Sequence, residues 1–149
     1  MSLKATIEKD IKQAMLSKDK DRLRALRAIK SQILLAETEK GATSEISSDQ
    51  EMKLLSKAAK QRKDSIDIFV EQGREDLASI ERSELEVIES YLPKQLTEEE
   101  IEQEVKAVIE QTGAAGPQDM GKVMGMATKK LAGKADGKMI SMLAKKLLS

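Results

Sequence analysis

The sequence predicts an all-α protein in two helical parts, a longer N-terminal helical bundle and a small C-terminal three-helix domain. Three observations predict it. Apolar residues recur at spacings of three and four along seven separate stretches, the period of a half-buried helix. No stretch of strand length alternates with period two, and valine occurs only five times, so no credible strand is found. Helix breakers are unevenly placed: residues 1–112 hold two of the eight glycines, residues 113–149 hold six, and the only prolines are Pro93 and Pro117. Long helices are expected first and shorter, closely packed ones at the end. A chain of 149 residues can bury about 68–70% of its unfolded surface as one domain, enough for a core without staples.

The elements follow in order. A first helix near 3–17 places Leu3, Ile7, Ile11, Ala14 and Met15 on one face. Asp19 or Asp21 starts a second, which runs to about Lys40 with Leu23, Leu26, Ile29, Ile33 and Ala36 as its stripe and Gly41 as its stop. Residues 41–48 read as a surface loop. Ser48 with Glu51 forms a capping box that opens a third helix with Met52, Leu55, Ala59, Ile66, Phe69 and Val70 inward, ended by Gly73. A fourth, near 75–92, turns Leu77, Ile80, Val87, Ile88 and Tyr91 inward. The short turn between the third and fourth makes an antiparallel hairpin. Pro93 stops the fourth helix and marks the boundary between an N-terminal domain, 1–93, and a C-terminal domain, 94–149. Thr97 with Glu100 is a second capping box, opening a fifth helix with Ile101, Val105, Val108 and Ile109 inward and Gly113 at its end. Gly116 and Pro117 suit the start of a sixth, with Met120, Val123, Met124, Ala127 and Leu131 inward. Asp136 caps a seventh, with Met139, Ile140, Leu143 and Leu147 inward.

Composition removes whole classes of chemistry. Lys and Arg total 26, as do Asp and Glu, so the formal charge is zero. There is no Cys, His or Trp, and Phe69 and Tyr91 are the only aromatics. Thiol nucleophiles, histidine acid–base catalysis and Cys/His metal sites are excluded. So, in effect, are aromatic platforms for stacked bases. No metal or other cofactor is called for. Apolar runs reach three or four residues, far short of the roughly 20 of a spanning helix. Lys4, Glu8, Lys9, Asp10 and Lys12 interrupt any N-terminal apolar region. The expectation is a cytoplasmic protein with no membrane association.

Several groupings have both a structural and a functional reading. Arg62 and Glu84 fall on the apolar faces of the two hairpin helices, where they can meet as a largely buried ion pair that fixes the hairpin. Lys20, Arg24 and Arg27 form a stripe opposite the apolar face of the second helix, and Lys53, Lys57 and Lys60 repeat that spacing on the third. Such stripes bind phosphates or simply face water. Asp64 and Asp67, four residues beyond Lys60 and Lys63, offset part of that charge. Residues 94–116 carry two Lys and six Glu, whereas residues 117–149 carry seven Lys and two Asp, a difference of plus five. Lys122, Lys129, Lys130, Lys134 and Lys138, with Lys145 and Lys146, make that end basic. Free N–H groups at the seventh helix start, beside lysines, would attract anions. Gly116-Pro-Gln-Asp-Met-Gly121-Lys122 has the spacing of a phosphate-binding loop, but Val123 stands where a magnesium-holding hydroxyl belongs and a helix precedes it. Gly121 and Gly125 permit close helix packing in a core. Met120, Met124, Met126, Met139 and Met142 are core or an adaptable apolar surface. The paired acids Glu98–Glu100 and Glu102–Glu104 sit at a helix start, where acids belong.

Leu23-Arg24-Ala25-Leu26-Arg27-Ala28-Ile29-Lys30, Lys60-Gln61-Arg62-Lys63-Asp64-Ser65-Ile66, Gly73-Arg74-Glu75-Asp76-Leu77, Glu89-Ser90-Tyr91-Leu92-Pro93-Lys94-Gln95-Leu96, Asp119-Met120-Gly121-Lys122-Val123-Met124 and Gly133-Lys134-Ala135-Asp136-Gly137-Lys138 follow one another as signatures. Together they resemble the stand-alone YqeY family, which is similar to the C-terminal tail of the GatB subunit of tRNA-dependent amidotransferases. The resemblance covers nearly the whole chain. It implies an all-helical protein in two parts, a tail that holds tRNA, and an association with carbon–nitrogen ligation using glutamine as amide donor. The kinase and glutaminase portions of such enzymes have no counterpart here.

The function expected is therefore a non-catalytic accessory module for tRNA or another structured RNA. It would read backbone and shape, without DNA specificity, through Lys122, Lys129, Lys130, Lys134 and Lys138, helped by Arg24 and Arg27. The alternatives are a protein–protein adaptor, or a component working with an amidotransferase or another translation-related protein.

Overall fold

The structure, a computed structural model, describes residues 2–39 and 45–149. Seven α-helices follow one another: α1 (Leu3–Ser17), α2 (Lys20–Glu39), α3 (Ser48–Glu71), α4 (Glu75–Glu89), α5 (Glu98–Thr112), α6 (Met120–Lys130) and α7 (Gly137–Leu148), with a 3₁₀ turn at Pro117–Asp119 before α6. No strand occurs among the described residues, and the protein is all-α. The expected stop of α2 at Gly41 and the first part of the 41–48 loop lie outside the described residues. The chain divides into two compact units, Met1–Leu92 and Pro93–Ser149.

In the first unit α3 and α4 form a closely packed antiparallel hairpin, and α2 packs on α1 and α4 but only slightly on α3. Ile7, Leu26, Ile29, Ile33, Leu55, Ala58, Ala59, Val87 and Ile88 form its core. Each large aliphatic side chain fully buried there contributes about 1.5–3 kcal/mol. Three residues expected inward are not: Met15, Val70 and Ile80 are between 44% and 55% exposed. Their helical period is right, but none of the three packs on the core of the unit. The fourth helix ends at Glu89, and residues 90–92 continue as turns.

Local hydrogen bonds fix the ends. Ser2 accepts from the Ala5 amide to open α1, and Asp19 accepts from the Arg22 amide to open α2. The α3 capping box lies one residue earlier than expected: Ser47 Oγ accepts from the Gln50 amide and Gln50 Oε1 from the Ser47 amide. Glu51 is used elsewhere. Its carboxylate accepts the Leu3 amide at 2.7 Å, satisfying an N–H that the first turn of α1 leaves unpaired. The Lys60–Asp64 and Lys63–Asp67 pairs expected along α3 do not close within ion-pair distance among the described residues. Just past α4, the Tyr91 hydroxyl donates to Asp10 on α1 and accepts from Arg22 on α2 at 3.4 Å.

In the second unit α5, α6 and α7 pack pairwise around Ile101, Val105, Val108, Val123, Ala127, Leu131, Ile140, Leu143, Ala144 and Leu148. Thr97 and Glu100 form the capping box that opens α5. Gly113, at φ +71°, closes it with a left-handed turn that a residue with a Cβ enters only under strain. The sixth helix begins as the 3₁₀ turn, with Gly116 at its cap. Gln95 Nε2 donates to the carbonyls of Pro93 (3.0 Å) and Gly133 (2.7 Å), and the Leu96 amide donates to the Lys134 carbonyl at 2.9 Å. These bonds stitch the segment entering the unit to the α6–α7 turn.

Candidate nucleic-acid interface

The basic residues of the second unit sit on short helices whose apolar faces are fully used. On α6, Val123 and Ala127 point inward, which turns Lys122 and Lys129, seven residues apart, together toward solvent. Lys134 lies in the α6–α7 turn and Lys138 in the first turn of α7. All four are exposed, and none forms an ion pair among the described residues. Lys130 differs: its ammonium is 3.0 Å from the Glu104 carboxylate on α5. That surface pair contributes at most about 1 kcal/mol, but it occupies the lysine.

The anion site expected at the start of α7 is already filled. Asp136 caps the helix, its carboxylate accepting the Lys138 amide at 3.1 Å. Its negative charge takes the place a phosphate would need, so Lys134 and Lys138 remain as side chains rather than as part of a backbone cradle. Gly121 and Gly125 also depart from expectation. Both are exposed, and a Cβ on either would meet no atom within 4 Å. They pack against nothing and leave the outer side of α6 flat beside Lys122 and Lys129. Of the methionines, Met120, Met124 and Met139 pack on the core, while Met126 and Met142 are exposed.

The arginines of the first unit divide. Arg27 is exposed with no ion pair among the described residues. Arg24 is committed to structure: its Nε donates to Glu84 Oε1 at 3.1 Å and its Nη2 to Asp21 Oδ1 at 3.2 Å. The hydrogen bond it donates to Glu84, chiefly, holds its guanidinium above the ordinary arginine range. Arg62 Nη1 lies 3.1 Å from Glu84 Oε2 and 3.1 Å from Glu81 Oε2. The Glu84 carboxylate, 7% exposed, is thus held by guanidiniums from α2 and α3 at once. The spacing of Arg62 and Glu84 on two apolar faces pointed to their meeting. The reach of Arg24 from a helix side that looked solvated gave no signal in the sequence.

Among the described residues no group of three or more acidic side chains is placed to hold a metal ion, and no helix is long and apolar enough to cross a membrane.

Comparison with known proteins places the chain. The profile of the Yqey-like protein family matches residues 4–148. The protein called altered inheritance of mitochondria protein 41, mitochondrial, from Pyrenophora tritici-repentis is 33% identical over 132 residues, covering 87% of this chain and 71% of that one. Its namesake from Clavispora lusitaniae is 37% identical over 91 residues, 61% of this chain and 52% of its own. That from Lachancea thermotolerans is 38% identical over 88 residues, 59% of this chain and 46% of its own. Against the last two, the chain spans about half the length of the curated relatives it matches. The cytoplasmic location expected from composition does not stand, because these relatives carry mitochondrial names. Missing cysteines and short apolar runs do not tell one reducing compartment from another. The chain belongs to the Yqey-like protein family.

Proposed function

We propose that this member of the Yqey-like family is a non-catalytic RNA-binding module that contacts the phosphates of structured RNA, tRNA first, through Lys122, Lys129, Lys134 and Lys138. The observation that carries the reading is four exposed lysines without ion pairs among the described residues, in a segment, 117–149, with an excess of five positive charges. Phosphate contacts supply most sequence-independent affinity. The flat glycine side of α6 lets a sugar–phosphate backbone come close to the helix. Arg27 is a secondary contact; Arg24 and Lys130 are spoken for by carboxylates. The sequence has neither thiol nor imidazole, and no catalytic group is proposed. Likeness to the GatB tail, and with it work beside an amidotransferase that carries out carbon–nitrogen ligation, remains part of this proposal and rests on the sequence signatures. The relatives' names make mitochondrial tRNA a substrate to test beside bulk tRNA.

The test is a fluorescence-anisotropy titration of labelled tRNA with the full chain at several salt concentrations. The expected log–log salt slope is about −0.7 to −0.9 per phosphate contact, or about −3 for four contacts. Lys134→Glu with Lys138→Glu is expected to abolish binding and leave helicity and melting unchanged. Unchanged binding in that variant removes the assigned site. No binding of either tRNA at tens of micromolar protein and low salt removes the proposal.

A further inference from the structure

The second unit carries the proposed RNA contacts; the first unit holds a separate groove. Because α2 packs on α4 and only slightly on α3, the two helices diverge and leave a cleft of about 320 Å³ between them, open to solvent. Ala36, Leu54 and Ala58 line its bottom, and Leu35, 61% exposed, forms one side. Lys53 and Lys57 line the α3 side, both exposed and without an ion pair among the described residues. Glu39 stands on the α2 side, so positive charge runs along one wall only.

We infer that this groove is the docking site for an acidic amphipathic helix of a partner protein. The lining runs from residue 32 to 39 on α2 and from 53 to 61 on α3, about 10–12 Å at 1.5 Å per residue, or two helical turns. That length takes two apolar side chains one turn apart from a helix lying along the cleft, the helix-in-groove mode of recognition. Lys53 and Lys57 are also one turn apart, so carboxylates at i and i+4 beside the apolar face meet them in register. Glu39 repels an acid on the opposite flank and sets which side of the incoming helix faces α3. An RNA backbone would engage the lysines and leave Leu35 and Leu54 in water, whereas an apolar face with flanking acids uses both features. The groove is too open to enclose a small molecule, whose sites bury most of the ligand. This inference is independent of RNA binding.

The experiment uses the full chain, with methyl groups isotopically labelled for NMR, and two synthetic helical peptides. They share one leucine pattern and differ only in having Glu or Lys beside it. The Glu peptide is expected to shift the Leu35, Leu54 and Ala58 methyls and to bind at least tenfold more tightly than the Lys peptide. Lys53→Glu with Lys57→Glu is expected to reverse that preference, and Leu35→Asp to weaken binding at least tenfold with the circular dichroism unchanged. Shifts scattered over other surfaces, or a preference that survives the charge reversal, overturn the inference. So does tRNA or dodecanoate shifting these same methyls more tightly than the Glu peptide, since either result gives the groove another occupant.

Discussion

The two units of this chain reach a defined structure by different means. Unit 1 uses long helices, 20 residues in α2 and 24 in α3, and its buried set includes Glu84, the one charged residue buried among those described. Unit 2 uses helices of 11 to 15 residues, and its core is apolar throughout. A long stripe can slide by one turn against its neighbour with little change in apolar burial. A buried carboxylate adds little net stability, but it penalises every arrangement that leaves it unpaired. Short helices closed by caps and tight turns have less room to slide. The expectation is that the Glu84 network adds a register constraint in unit 1 that the apolar core of unit 2 does without.

Three measurements break or sharpen that contrast. The largest loss is expected in unit 2, whose core holds no buried charge network. Ile140, 1% exposed, is expected to cost about 4 kcal/mol on change to Ala, within the range for buried large-to-small substitutions. Amide exchange across residues 97–148 reads the loss. Next is Arg62→Met, which keeps the buried stem and removes the charge. About 3 kcal/mol is expected, the lower end for breaking a buried pair, because Arg24 still covers Glu84 Oε1. Exchange in α3 and α4 is expected to rise most; a loss below about 1 kcal/mol would show the network to be dispensable and erase the contrast.

The smallest effect is one of pH. Burial, then the hydrogen bond to Asp10, pushes the Tyr91 hydroxyl well above its ordinary value near 10.0. The unfolded chain therefore gives up this proton first as pH rises. The contribution of Tyr91 is complete below pH 10 and is lost above it. Tyr91→Phe is expected to flatten the fall in unit 1 stability between pH 9 and 11 relative to the parent protein. As Tyr91 is the only tyrosine, its 295 nm absorbance reports the ionisation directly. Parallel pH profiles for the two proteins would place the alkaline loss in other groups.

Much of this was legible from residue spacing and some was not. The seven helices are legible because each carries an apolar stripe at period 3.6, even where α1, α3 and α4 leave Met15, Val70 and Ile80 exposed. The box at Thr97 and Glu100 is clear because Thr97 is the one capping residue type between Pro93 and Ile101. At the start of α3 two boxes fit equally well in sequence, Ser47 with Gln50 and Ser48 with Glu51. A distant partner decides between them: the Leu3 amide takes Glu51. Val70 and Ile80 keep the correct period and still face water, since period alone does not say which residues of a stripe a neighbouring helix covers. For the candidate interface, the sequence located the basic end. Which lysines stay available depends on Glu104 and Asp136, whose reach is a matter of tertiary geometry. GxxxG spacing points to packing without saying which side of a helix is covered, and on α6 it falls on the open side.

The Tyr91 clasp has a consequence for the newborn protein. Its partner Asp10 is 81 residues earlier, while the Gln95–Gly133 stitch spans 38. At about 5–20 residues per second, a ribosome needs about 4–16 s to deliver Tyr91 after Asp10 and about 2–8 s to complete the later stitch. The segment made first is thus finished only when its last turn leaves the exit tunnel. Until then α1 and α2 have only each other to pack on and lack the α3–α4 residues that complete their core, whereas the later segment needs about half that time.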